Sequence, residues 1–585
     1  MTTVAERRAP DTRPDFPVMG ERVTQRVGTD DILKRVLYGL VAVWLFLFMV
    51  YPLFTLLKRS FQDRAGGFVG LENYVAYFSS PATSSSLRHS FNIGIFSMVI
   101  TVVLAFGVAY ALTRTKIPGK RVIRTVSLLP MFIPSVVQAL AFIYMFGNNG
   151  AFTRATGINI GLYGPVGIVM SEVFWAFPHA LTILLTSLAT ADARLYEAAE
   201  SLGASSLRTF LTVTLPTVKY GLMSAAFVTF TLAITDFGAP KVVGGDYGVL
   251  ATDIYAKVVG QQNFGMGAAV SAVLLVPTAV AFVLDRLVQR QQVAQITADI
   301  VPLAPKRSAP LVRVGLFLLC TLVTGYILSV YGMVVVGALT SYWPYDLSLT
   351  LKNFSEFYVA GAHHGALHVL WNTIKMALLA SVMGTVIIFF SAYLIERSRK
   401  LQRARAVLYL LSIIPLSIPG TVLGLSYLFT YNNPSNPLNV LYGTMVILAI
   451  STVFHYYTVP FLTATAALKQ MDREFEAVGE SLNAPFYRTF WQVIVPLGLP
   501  SILSIATYLF LNALVTLSAL VFLFVPGNEV ASLMVMFLDD AGETAQAMAM
   551  ALLILATGLV SRGLFTFLMR GVTLRKQAWR APSSG

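Results

Sequence analysis

Glu172, His179, Asp236, His455 and Asn512 are ionisable or strongly polar residues set in or beside long apolar stretches of this 585-residue chain. Such side chains are costly at membrane depth, so they usually face one another or a path through the protein rather than lipid. An acidic group there can meet an ammonium, and an amide such as Asn512 can donate to an anionic oxygen. Taken singly, each is more often an interfacial or interhelical hydrogen-bonding group. Together they are candidates for a solute pathway. Other constellations fail on spacing. His363, His364 and His368 cluster in sequence, but not in a standard ligand pattern, and no acidic or cysteine partner adjoins them, so no metal site is assigned. There is no Gly-x4-Gly-Lys-[Ser/Thr] phosphate loop, so ATP hydrolysis is not expected of this chain. No catalytic Ser/His/Asp or Cys/His set stands out, and the single cysteine, Cys320, lies in an apolar run without an intrachain partner.

A second group of residues repeats. Asp192 … Glu200-Ser-Leu202-Gly203-Ala204 … Arg208-Thr-Phe210 … Pro216 returns about 280 residues later as Asp472 … Glu480-Ser-Leu482-Asn483-Ala484 … Arg488-Thr-Phe490 … Pro496. Each copy reads as a short helix, a turn, and a second helix entering an apolar run. Asp192 and Asp472 suit the N-cap, where a carboxylate accepts free amide protons of the first turn. Gly203 falls where a helix commonly ends in a left-handed residue, and Asn483 is a tolerant substitute for it. Pro485 is suited to opening the second helix. One such loop could be a plain hairpin. Two copies in equivalent places point to a docking surface for a two-fold partner.

The elements that must carry these residues follow from composition. Only 12% of residues are charged and 56% are hydrophobic; a soluble domain usually carries about twice that charged share. With a mean hydropathy of +0.70, lipid is the natural solvent for the excess. Runs long enough to cross a bilayer core of about 30 Å lie near 36–57, 91–112, 125–146, 166–190, 220–237, 267–285, 314–340, 372–395, 406–430, 440–466, 499–524 and 546–569. The predicted fold is an all-α membrane protein of twelve transmembrane helices in two pseudo-twofold six-helix repeats. Pro130-x-x-x-Pro134 and Pro415-x-x-x-Pro419 are a further matched pair. Most of the 42 basic residues fall in alternate loops, which predicts that both termini are cytoplasmic; Lys58 and Arg59 are the exception. That placement explains the net charge of +14 without nucleic acid. Residues 1–35 read as a cytoplasmic tail, 36–290 and 314–572 as the two halves, 291–313 as a linker and 573–585 as a C-terminal tail.

The repeated loop resembles a known family. Glu197-Ala198-Ala199 … Leu202-Gly203-Ala204 … Phe210 … Leu215-Pro216 is similar to the EAA motif of type I ABC importer permeases. The second copy, Glu476-Ala477-Val-Gly-Glu480, is offset by one residue and carries Asn483 for the usual glycine. The fused twelve-span layout resembles the ferric-iron-type branch. Thr235-Asp-Phe-Gly238, Ala251-Thr-Asp-Ile254, Gly260-Gln-Gln-Asn-Phe264, Tyr487-Arg-Thr-Phe490 and Asp539-Asp-Ala-Gly542 look most like 2-aminoethylphosphonate permeases. The resemblance implies a transport subunit of the bacterial inner membrane with two cytoplasmic ABC ATPase subunits, which carry ATP and Mg, and an extracytoplasmic solute-binding protein. It implies that the repeated loops are coupling helices. Ferric iron is the alternative cargo. A twelve-span secondary transporter is the alternative class, though it needs no paired loops of this kind.

Overall fold

The computed structural model of the chain describes residues 29–295, 301, 309–359, 362–397, 402–472, 474–482 and 484–577. Asn483 and most of the expected N-terminal tail lie outside them. Among the described residues nine helices are long and apolar enough to cross a membrane, and three bent pairs bring the number to twelve. In chain order the spans are Ile32–Arg59, Thr83–Arg114, the pair Lys120–Phe132 and Ser135–Thr156, Pro165–Ala189, Ser206–Thr235, Phe264–Gln291, Pro310–Leu339, Ala366–Arg397, the pair Gln402–Ser417 and Gly420–Tyr431, the pair Met445–His455 and Thr458–Gln470, Phe486–Val515 and Thr544–Gly571. They are called spans 1 to 12.

The expected spans 125–146, 406–430 and 440–466 are thus not straight. Spans 3 and 9 turn by 108° and 112° at the matched prolines. Proline pushes the residue before it out of the helical region, and Ile133 (φ −126°, ψ 137°) and Ile418 (φ −95°, ψ 115°) are extended. A 3₁₀ turn precedes each break, and Pro134 and Pro419 cap the helix beyond it. Backbone freed inside a bilayer has to be satisfied by protein. Gln138 does so in the first half, donating to Pro130 O and Ile133 O, each at 3.2 Å. In the second half the Thr458 hydroxyl donates to Ser412 O and accepts from Leu416 N, both at 3.2 Å. Span 10 bends by 61° at Tyr456 and Tyr457. The span expected at 499–524 stops early: its helix ends at Val515 and turns follow.

Within each half the second span packs on the fourth and fifth, and the fifth on the sixth. Spans 1 and 7 cross to the opposite half. Span 1 contains a π turn, Phe46–Val50, and Tyr427 and Tyr431 of span 9 donate to the carbonyls of Phe48 (2.6 Å) and Leu47 (2.8 Å). Span 7 stacks Tyr326 on Phe142 of span 3, with centroids 6.0 Å apart. The fold is all-α as expected; among the described residues two short hairpins follow span 7, Thr340–Tyr342 with Asp346–Leu349 and Glu356–Val359 with Ala362–Gly365. The helices flanking the expected linker end at Gln295 and begin at Pro310, and most of the segment between lies outside the described residues.

Candidate functional site

The two repeated loops fold alike. The Asp192 carboxylate accepts from Arg194 N and that of Asp472 from Glu474 N, both at 3.0 Å. They open the helices Ala193–Ser201 and Glu474–Ser481. The first helix ends as expected, with Gly203 at φ +68°. Ala204 N donates to Ala199 O (3.0 Å) and Gly203 N to Glu200 O (2.9 Å), the paired bonds of a glycine-terminated helix. In the second loop Ala484 N donates to Gly479 O at 2.9 Å, the same closing bond. Pro485 stands just outside its helix, at the cap, rather than opening it. Ser205 caps the matching helix of the first loop through Arg208 N at 3.3 Å. The second loop lacks that hydroxyl, and Asp30 supplies the cap from the start of span 1, accepting from Phe486 N at 2.9 Å.

Each loop then enters its span through a five-residue π turn, Phe210–Thr214 and Phe490–Ile494, directly before the matched prolines Pro216 and Pro496. A proline ring clashes with the carbonyl four residues back in an α-helix, and the wider turn removes that conflict. Phe210 seats against Phe106 and Tyr110 of span 2, at 6.0 and 5.8 Å. Phe490 seats against Phe390 and Tyr393 of span 8, at 5.4 and 4.7 Å. Each phenylalanine thus ties its loop to a neighbouring span. Each outward face carries an open leucine: Leu202 is 86% exposed and Leu482 75%. Glu197, Ala198 and Glu200 share the first exposed face with Leu202, while Ala199 is turned inward. Ala477 takes the place of Glu197 in the second loop.

Glu476 departs from the motif. It stands at the position of Tyr196, and its carboxylate pairs with Arg397 at the end of span 8 at 3.2 Å. Arg397 also donates to Met471 O at 2.9 Å. In the first half Arg114 donates to Leu188 O at 2.8 Å and lies 5.1 Å from the Tyr196 ring. Glu476 therefore anchors its loop to the span. Glu480 lies on the helix Glu474–Ser481.

The membrane-depth candidates divide. Glu172 of span 4 is fully buried, and its carboxyl faces that of Asp236. Asp236 follows the last turn of span 5; its Oδ1 accepts from Ser135 Oγ at 2.8 Å and its Oδ2 from Ala239 N at 2.9 Å. His455 ends the first segment of span 10, with its ring 4.5 Å from that of Tyr456. Tyr456, in the bend, is hydrogen-bonded to Thr516 and lies beside Asp236. Tyr508, Asn512 and Thr516 follow at four-residue spacing on one face of span 11, and Tyr456 meets the first and the third. Asn512 itself donates to Tyr508 O at 2.8 Å. His179 is not part of this cluster as far as the contacts go: its ring packs on Trp175, 5.8 Å away. Sequence reading missed Ser135, Tyr456 and Thr516, which carry no charge. The signal for Ser135 was its place directly after Pro134, where the helix breaks.

Asp539 and Asp540 end the helix Ala531–Asp540, outside the spans. Asp540 pairs with Lys241 of the other half at 2.9 Å. Burial, with the neighbouring Asp540 carboxylate, pushes the Asp539 carboxyl up to about 6, and Lys241 opposes that only in part. The histidines 363 and 364 pair across the hairpin with Tyr358 and Phe357. Among the described residues no group of three metal-ligating side chains forms.

Twelve spans in two matched halves, with a repeated loop in each, define a duplicated membrane permease. A model of the family described as "Binding-protein-dependent transport system inner membrane component" matches residues 102–293 and again 384–574. The chain belongs to this family, as a fused form carrying the unit twice. It is a type I permease of an ABC importer, a transport subunit of the inner membrane rather than an enzyme. The chain is 26% identical over 525 residues to the ferric transport system permease protein FbpB of Actinobacillus pleuropneumoniae, covering 87% of this chain and 74% of that protein. A putative ferric transport system permease protein, FbpB 1 of Haemophilus influenzae, is 26% identical over 499 residues, covering 83% and 77%. A crystal structure of a bacterial ABC transporter importing alginate covers 46% of this chain and 99% of its own at 15% identity, with a TM-score of 0.38.

Proposed function

We propose that this permease imports 2-aminoethylphosphonate, handed over by an extracytoplasmic binding protein and driven by two cytoplasmic ABC ATPase subunits that carry ATP and Mg. The observation that carries the coupling part is the pair of matched loops with open leucines, one in each half, suited to one ATPase subunit apiece. Both termini and both loops lie on the cytoplasmic side in this reading. Closure of the ATPases on ATP shifts the two loops, Phe210 and Phe490 pass the shift to spans 2 and 8, and the halves rock to alternate access. The phosphonate assignment rests on the residue stretches around Asp236, Asp253 and Asp539, and on an acidic cluster able to meet an ammonium. Ferric iron is the second reading, favoured by the ferric permeases to which the chain is similar over most of its length.

Uptake of labelled 2-aminoethylphosphonate is measured in cells with and without the permease, with ferric iron alongside. Loss of phosphonate uptake alone supports the proposal. Loss of iron uptake alone establishes the second reading, and no change in either refutes both.

A further inference from the structure

We infer that Glu172, Asp236 and Tyr456 form a one-sided cation-recognition site on the import path, which takes the ammonium group of the cargo. The inference rests on the importer reading and names the chemistry recognised inside the membrane.

Glu172 is fully buried, and among the described residues its carboxyl has no hydrogen-bonding partner except the carboxyl of Asp236. Buried polar groups are nearly always satisfied, so a carboxyl met only by a second carboxyl needs a shared proton or a bound cation. The group it faces is another carboxyl, that of Asp236. Asp236 is held firmly: Ser135 Oγ donates to one oxygen and Ala239 N to the other. Gly238 N and the Glu172 carboxyl approach it as well. Two carboxyls this close leave one place between them that only a proton or a donor-rich cation can fill. A primary ammonium has three donors and no acceptor, which suits the place. Tyr456 lies beside Asp236 and packs edge to face with Tyr508, centroids 6.2 Å apart; a tyrosine ring can attract a cation through its face.

The position is that of a path between the halves. Glu172 and Asp236 come from spans 4 and 5 of the first half, Tyr456 and Thr516 from the bend of span 10 and the end of span 11 in the second. Irregular backbone at membrane depth occurs where it is buried in protein or lines a cavity, and three such interruptions converge here. Packing around them is close. A methyl group on Gly238 would come within 2.5 Å of Ser135 Oγ and 3.2 Å of Leu517 of the other half, so the two halves meet tightly beside the cluster.

The site is also one-sided. About 280 residues on, the counterparts of Glu172 and Asp236 are Thr452 and Thr516, and Gly420 follows Pro419 where Ser135 follows Pro134. A pseudo-twofold molecule that keeps carboxyls on one side only is suited to a small solute with one positive end. Asn512 lies between Tyr508 and Thr516 on the same helix, its amide donating to Tyr508 O at 2.8 Å. For ferric iron the site would offer two carboxyls and the Tyr456 phenol, and no further acidic, histidine or cysteine ligand joins them among the described residues, fewer donors than an octahedral ion takes.

The test is modification of Glu172 by dicyclohexylcarbodiimide in the full-length permease in membrane vesicles, read by peptide mass, without ATPase or binding protein. Millimolar 2-aminoethylphosphonate or ethylammonium is expected to slow the modification about tenfold, the scale of one charge-assisted contact. Ethylphosphonate, which lacks the ammonium, is expected to leave the rate unchanged. D236N should keep the modification and lose the protection. E172Q should abolish the modification at this position, and E172D, which keeps a carboxyl, should keep both the modification and its slowing by an ammonium. Equal protection by ethylphosphonate overturns the inference, as does protection by ferric citrate alone. Absence of modification under every condition also overturns it, since the pair is then sealed packing. The readout does not require ATP-driven import, so its failure and the failure of the importer reading are separable.

Discussion

Gly203 tests the coupling turn through backbone conformation alone. Its φ of +68° lies in the left-handed region, and a Cβ added there meets nothing within 4 Å. Steric crowding therefore contributes nothing, and the whole cost of a side chain is conformational. That cost is roughly 1–2 kcal/mol for alanine, more for a β-branched residue and less for asparagine. At 1–2 kcal/mol the ratio of formed to open turn falls by about 5- to 30-fold. The hydrogen bonds Ala204 N to Ala199 O and Gly203 N to Glu200 O, which close the helix, are lost in the open form. The expected order of damage is G203N, then G203A, then G203V. The second loop carries Asn483 at the equivalent position, a substitution of the mildest kind. The assay is ATP-driven uptake in proteoliposomes holding the permease and its ATPase partner, with ATP hydrolysis followed in parallel. Uptake per ATP should fall along the series while the permease remains folded by thermal unfolding in detergent. Full coupling in G203V, or equal damage from G203N and G203V, would refute the conformational argument.

E476A removes the carboxylate from Arg397, whose side chain is only 4% exposed. Losing this part-buried, charge-assisted contact costs about 1.5–3 kcal/mol, read as a lower apparent Tm, and E476Y should recover part of it by copying the Arg114–Tyr196 contact. F490A should destabilise by about 3–5 kcal/mol, because its ring is buried against Phe390 and Tyr393. F210A, half-buried against Phe106 and Tyr110, should cost about half as much; thermal or urea unfolding separates the two. Asp539 gives a pH dependence. Its raised carboxyl penalises the ionised form in the folded state, so stability should rise as pH falls through about 6 and level off below the ordinary carboxylate range. D539N should remove that slope and raise stability at pH 7 by about 1–2 kcal/mol after screening.

The repeat was legible because matched loops need matched residues. Asp192 and Asp472, Gly203, and Pro216 and Pro496 are each dictated by a local backbone requirement, and local requirements show in sequence. The straightness of the spans was not. Hydropathy registers that residues 125–146 and 406–430 are apolar, but not that Ile133 and Ile418 must be extended before proline; the prolines read as markers of a repeat rather than as the break itself. Glu476 was assigned by motif, whereas its partner Arg397 lies on another span, a contact no local pattern encodes. The buried cluster was half visible. Charge at membrane depth pointed to Glu172 and Asp236, but Tyr456 and Ser135 look like ordinary apolar-helix residues until a bend brings them together.

Cysteine cross-linking between each loop and the ATPase tests the central claim most directly. The native Cys320 is buried in span 7, so a cysteine placed at Leu202 or Leu482 reports on its own loop. The account predicts that L202C and L482C each capture one ATPase subunit, and that the double variant captures two per permease chain. Capture at one loop only, or at neither while transport remains ATP-driven, would contradict it.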